Sequence, residues 1–273
     1  MEKRNRTIQR LGIFIIGVCL CGWIGKGIDM ILTNQPNGQS LGSLIWLVTP
    51  IILSLILALA LDEQSKYLGL RTNLKGNVRL YLLTLLLFPI IAIVLLILGN
   101  LSQVVSLHNF DLLKILSVFL IWFVINFFRT ILEEVAWRGY LTERLLQRKV
   151  NDWIIYASVT LIWGTWHIPY YLFFFQNGNA IQLILSCYFN LACWSILFTE
   201  IYRRTRSVWP CILLHASANA VQYLMLEDYF VIPDKWNILL APGTGIISCA
   251  VCIGVGLIMR SQNMKQQSDG YGV

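Results

Sequence analysis

Residues 112–128, LLKILSVFLIWFVINFF, run without interruption into residues 129–149, RTILEEVAWRGYLTERLLQRK. The first stretch is apolar over most of the length of a lipid-embedded helix. The second delivers Glu133, Glu134 and Arg138 within six residues. Two readings compete for that junction. Either the helix has reached water, or two carboxylates are held at a membrane face for chemistry.

The rest of the chain supports a membrane setting. Of its 273 residues, 57% are hydrophobic and 13% charged, against roughly 25% charged in ordinary soluble domains. A helix crosses the hydrocarbon core in about 20 predominantly apolar residues. Such runs recur at about 11–32, 41–61, 80–100, 112–132, 153–175, 180–202, 207–226 and 238–259. The expected fold is therefore all-α, a polytopic membrane helical bundle of eight transmembrane helices filling one domain, 1–273. The first run follows a basic segment that resembles a signal peptide, but no small-residue cleavage site comes after it, so an uncleaved helix is expected.

The net charge of +7 does not call for nucleic acid, because the placement of the basic residues accounts for it. Four precede span 1. Lys66, Arg71, Lys75 and Arg79 lie between spans 2 and 3, and Arg138, Arg144, Arg148 and Lys149 between 4 and 5. Arg203, Arg204 and Arg206 separate 6 from 7, and Arg260 and Lys265 follow 8. The alternate loops NQPNGQS (34–40), SQVVSLHN (102–109) and QNGN (176–179) contain none, and the last has Lys235 alone. Thus 17 of the 21 basic residues fall on one side, as the positive-inside rule requires, which puts both termini in the cytoplasm. The seven cysteines all lie in apolar spans, whereas a disulfide framework would place them in external loops.

Polarity is unevenly distributed among the spans. Lys26 and Asp29 sit one turn apart in span 1, as an ion pair would. Spans 2 and 3 carry no His, Glu or Lys in their apolar cores. Helices 11–100 and 238–259 read as support, the latter with Gly243, Gly245, Gly254 and Gly256 for close packing. Helices 112–226 read as the working part. Asn126, Arg129, Glu133 and Glu134 belong to the fourth span, Trp163 and His167 to the fifth, Asn190 and Glu200 to the sixth, and His215, Ser217 and Asn219 to the seventh. Each ionisable group inside a membrane helix costs roughly 2.5–3.5 kcal/mol on insertion scales, so their concentration points to a shared polar interior.

Helical spacing turns these residues into geometry. Glu134 and Arg138, four apart, share a face and can pair. Glu133 points about 100° away and faces elsewhere. Trp163 and His167 share a face, with Pro169 two residues on to disturb the helix and free backbone groups. His215 and Asn219 repeat the spacing. His108, in an external loop, has no assigned role. Measured along straight helices, His215 lies about 12 Å and His167 about 20 Å from the cytoplasmic loops, whereas Glu133 stands near the edge.

The ordered trio Glu133-Glu134-Val-Ala-Trp-Arg138, Trp163-Gly-Thr-Trp-His167 and His215-Ala-Ser-Ala-Asn219 resembles the CPBP family. These are the CAAX-processing and bacteriocin-processing intramembrane proteases, also called Abi. The family usually has Phe where Trp163 and Trp137 stand; both departures keep an aromatic ring. The resemblance implies hydrolysis of a peptide bond at the membrane, in a lipidated, prenylated or other membrane-associated peptide or protein. No H-E-x-x-H helix and no paired Ser or Cys nucleophile is present. Glu133 is then the general base, with His167 on the same water. His215 and Asn219 donate to the oxyanion, and Glu134 and Arg138 fix the helix end. In the alternative, Glu133, His167 and His215 ligate zinc with an open fourth position and Glu134 acts on the bound water.

Two further classes stay open on the residues alone. Intramembrane Glu and His also build proton-coupled transporters, although no inverted repeat is seen. A non-catalytic immunity or regulatory membrane protein would need the fold without hydrolysis. The absence of large soluble domains points to a bacterial plasma membrane.

Overall fold

The computed structural model describes residues 2–32, 35–36, 39–59, 67–108, 110–175, 178–227 and 229–269. Lys66, residues 60–61 of the second expected span, and parts of three loops (Asn34, Asn37, Gly38, Asn109, Gln176 and Asn177) lie outside the described residues. The fold is all-α. In chain order the helices are α1 (Glu2–Ile31), α2 (Leu41–Leu59), α3 (Val78–Leu101) and α4 (Leu112–Glu134). A π-helical segment, Val135–Thr142, joins α4 to the short α5 (Glu143–Gln147). Then come α6 (Asp152–Pro169), a second π-helical segment (Tyr170–Phe174), α7 (Ala180–Thr205), α8 (Trp209–Leu224), α9 (Asp234–Leu240) and α10 (Ile246–Asp269). Two-residue strands β1 (Ser106–Leu107) and β2 (Phe230–Val231) pair antiparallel.

Six helices among the described residues are long and apolar enough to cross a membrane: α1, α2, α3, the continuous run Leu112–Gln147, α7 and α10. The chain is a multi-pass membrane protein. The remaining two expected spans are α6 and α8. These helices carry His167 and His215, and α8 is 16 residues long with eleven of them buried. At that length α8 falls short of the about 20 residues that cross the hydrocarbon core. Other boundaries move too. Glu133 is not at a helix edge, because the helical run continues to Gln147. The last span starts at Ile246 rather than 238, since Pro242 and Gly243 (φ +91°) break the chain after α9.

The chain divides into two compact units, residues 1–70 with 132–195, and residues 71–131 with 196–273. In the first, α1 packs on α2 and α6. Every fourth residue of α2 is buried, giving the stripe Gly42, Trp46, Pro50, Ser54 and Ala58. Gly25 of α1 and Gly42 bring the two backbones together so closely that a Cβ on either would overlap the other's carbonyl. The Asp29 carboxylate accepts from the Gly42 amide at 2.8 Å and from the Ser40 hydroxyl, capping α2. Lys26 lies over the Phe173 ring, 5.8 Å from its centroid. The ion pair expected between Lys26 and Asp29 is therefore replaced by a cap and a cation–π contact, because the open helix start offers Asp29 better-placed donors.

In the second unit α3 packs on α8 through a stripe running from Thr84 to Gly99. Ala216, Ser217, Ala218 and Ala220 give α8 the small profile that close packing needs. Of the four glycines expected to pack α10, Gly256 alone does so between helices, against Ile196 and Leu197 of α7. Gly254 meets nothing within 4 Å, and Gly243 and Gly245 belong to the α9–α10 turn. Fully buried Glu200 accepts from Arg203 at 3.2 Å and from Asn263 of α10 at 2.8 Å. The His108 side chain stays outside this framework; its backbone amide donates to Tyr229 O beside the β-pair. All seven cysteines are thiols.

Candidate active site

The first unit holds Glu133, Glu134, Arg138, Trp163 and His167. Just after the two glutamates the backbone leaves the α-register for eight residues of π-helix, and the Glu143 amide still reaches Arg138 O, five residues back. Thr142 reinforces that register with a hydroxyl bond to Trp137 O at 2.8 Å. Such segments are rare and occur often at functional sites. Arg138 and Glu134 are both fully buried and meet through Nε–Oε2 at 3.3 Å and Nη1–Oε1 at 3.4 Å. A buried pair with one partner removed leaves an uncompensated charge, so each residue holds the other in place.

Glu133, 3% exposed, has a different partner. Trp163 Nε1 donates to its Oε2 at 3.1 Å. The Arg138 guanidinium sits 4.3 Å from the centroid of the same indole ring. One side chain thus serves both halves of the motif: its face takes the cation, and its edge holds the neighbouring carboxylate. The two adjacent glutamates thus meet different groups, Glu134 the Arg138 guanidinium and Glu133 the Trp163 indole N–H.

His167 Nδ1 stands 2.9 Å from Trp163 O. A carbonyl can only accept, so Nδ1 carries the proton and Nε2 is the basic nitrogen of the neutral ring. The ring lies edge-on to Trp166 (4.6 Å between centroids) and stacks toward Tyr171. Below it is a reciprocal arrangement of two tryptophans. Pro50 lacks the N–H that would bond Trp46 O in a regular helix. Trp166 Nε1 donates to that carbonyl at 3.2 Å, and Trp46 Nε1 returns a bond to Trp166 O at 2.8 Å. Their rings stack at 4.1 Å. Gly22 is required here, since a Cβ would come within 2.6–2.9 Å of Pro169 and Trp46. Pro169 ends α6, and the second π-segment follows it.

The second unit holds His215 and Asn219. His215 is 5% exposed and lies edge-on to Phe198 at 6.0 Å. Asn219 Nδ2 donates to Asn126 Oδ1 at 3.3 Å. Asn126, 1% exposed, donates in turn to Trp122 O at 2.8 Å. Trp122 stacks on Tyr223 at 4.0 Å, and the Thr130 hydroxyl reaches Ile212 O at 3.5 Å. Positions 122, 126 and 130 of α4 therefore meet 223, 219 and 212 of α8 as three successive rungs. Among residues with no assigned role in the sequence, Asn126 is the notable one. The signal was a buried Asn two turns before Glu133 on one face of α4, but its partner could not be read from spacing.

Within neither unit do three His, Cys, Asp or Glu side chains among the described residues form a group able to hold a metal ion. No curated protein matches the chain. Residues 115–221, which contain every residue named in both halves of the motif set, match the family model described as Type II CAAX prenyl endopeptidase Rce1-like. The segment that carries these side chains is thus similar to that family of CAAX-type endopeptidases.

Proposed function

We propose that the chain is an intramembrane endopeptidase in which Glu133 and His167 activate water and His215 and Asn219 stabilise the oxyanion. The observation that carries this reading is the separation of the two glutamates. Arg138 neutralises Glu134, while Glu133 keeps a buried carboxylate bonded by an indole N–H. A desolvated carboxylate is a competent proton acceptor.

Glu133 takes a proton from water, which His167 Nε2 helps orient. The oxygen attacks the scissile carbonyl carbon, and the charge moves to the carbonyl oxygen. Donors at that oxygen, here His215 and the Asn219 amide, supply what is often the largest catalytic contribution. Collapse breaks the C–N bond, and the proton on Glu133 passes to the leaving amine. The substrate class is a lipidated or otherwise membrane-associated peptide, since an acyl or prenyl chain brings it to a membrane-embedded site.

The test uses purified protein in lipid vesicles and an internally quenched farnesylated peptide ending in a CAAX sequence. Glu133→Gln is expected to lower cleavage about 10²–10⁴-fold while the thermal unfolding profile stays that of the parent. Cleavage that survives in this variant overturns the assignment. A zinc-dependent version of the reaction is distinguished by metal analysis of the same sample and by cleavage after strong chelation.

A further inference from the structure

We propose that Asn126 is a positioning residue for the Asn219 amide, fixing which of its edges faces the reacting oxygen. The inference rests on the reading of Asn219 as an oxyanion donor and extends it to a residue that touches no substrate. Asn126 is 1% exposed and sits on α4, so its influence passes through its neighbour.

The argument follows from hydrogen-bond polarity. Trp122 O is a carbonyl and accepts only, so the Asn126 group 2.8 Å from it is the NH₂. That orientation turns Oδ1 toward α8. An oxygen facing Asn219 calls for a donor, and Asn219 meets it with Nδ2 at 3.3 Å. One N–H of Asn219 is thereby committed, and the second is presented in a fixed direction. With the acceptor gone, the amide is free to turn over and offer Oδ1 instead, and a carbonyl oxygen facing a developing oxyanion repels it.

The flanking rungs explain why the amide pair stays in register. Trp122 stacks on Tyr223 at an interplanar angle of 6°, one turn from the amides on each helix. Thr130 bonds Ile212 O on the other side. Asn126 is thus held along the helix by its own carbonyl bond and across the helices by neighbours above and below. An apolar residue at 126 would keep the packing and remove the polarity.

The interaction would matter only as charge builds on the substrate oxygen, so its loss should lower kcat and leave KM in place. In the vesicle assay with the farnesylated quenched peptide, Asn126→Leu is expected to reduce kcat roughly 10- to 100-fold, less than the roughly 10²–10³-fold for removing an oxyanion donor outright. Asn126→Gln, which keeps an amide donor for Trp122 O and an acceptor for Asn219, is expected to recover most of that loss. The decisive comparison is a double-mutant cycle with Asn219→Ala. Asn126→Leu should lower kcat in the parent and change nothing on the Asn219→Ala background. Equal losses in both backgrounds, or a rise in KM with kcat unchanged, overturn the positioning role. Full activity of Asn219→Ala removes the reading on which it rests, and that outcome is read separately. Thermal unfolding of each variant identifies any that fails to fold, and Asn126→Thr, which keeps a hydroxyl acceptor, then replaces it in the cycle.

Discussion

Around Glu133 the backbone turns π-helical within two residues, and the side chains that follow are charged, aromatic and locked together. Around Asn219 the helix stays regular from Trp209 to Leu224, and the contacts are neutral: amide to amide, ring to ring, hydroxyl to carbonyl. The difference matches what each group is asked to do. A buried carboxylate needs its neighbouring charge cancelled by something other than itself, which Arg138 achieves on Glu134. An amide donor carries no net charge, and it needs only a fixed direction. Charge is costly to bury without a partner and orientation is not, so the elaborate backbone appears on the carboxylate side.

Breaking the charged half should have the largest effect. Arg138→Met leaves Glu134 buried opposite an apolar side chain, with an expected loss of about 3–5 kcal/mol in thermal unfolding of the purified protein. Glu134→Leu combined with Arg138→Met should recover most of it. A single variant that costs no more than an exposed ion pair, about 0–1 kcal/mol, would erase the contrast between the halves.

The tryptophan clasp comes next. Trp166→Phe leaves Trp46 O behind Pro50 without its indole donor, for an expected loss of about 1–3 kcal/mol. Adding Pro50→Ala restores a backbone N–H in α2 and should return part of the stability. If the double variant is less stable than Trp166→Phe, the carbonyl is not the group that matters. The neutral half should respond least. Thr130→Val removes a 3.5 Å bond to Ile212 O, and about 0.5 kcal/mol or less is expected. A loss as large as that of Trp166→Phe would place the two halves on the same footing.

Much of the framework was legible in the sequence, because long apolar runs have few alternatives to helix in a membrane. The Glu134–Arg138 pairing followed from a separation of four, and the disturbance near His167 from Pro169. What escaped reading involves long separations or backbone register. Trp46 and Trp166 are 120 positions apart, and no local pattern announces that one indole answers the other's carbonyl. The α-to-π change after Glu134 leaves the side-chain order untouched, so residue spacing continues to look α-helical. Lys26 and Asp29 obeyed a spacing rule, yet the amide and hydroxyl at the start of α2 competed successfully for the carboxylate. Pro242-Gly243 was visible, but hydropathy averaged across the break.

The π-helical segment also decides which change of length the chain can absorb. Beyond it Arg144 bonds Tyr67 O at 3.3 Å and lies over the Tyr140 ring, while Gln147 bonds Glu143 at 2.7 Å. The segment's wider turns take up about one residue more than an α-helix over the same arc, so deleting one residue between Val135 and Thr142 would let the stretch relax into ordinary winding with α5 still facing Tyr67. One residue added has no such outlet and would turn α5 by about 100° around the axis, carrying Arg144 away. A gene that gains a single codon in this stretch would therefore disconnect the carboxylate end from its anchor, even though every motif letter survived.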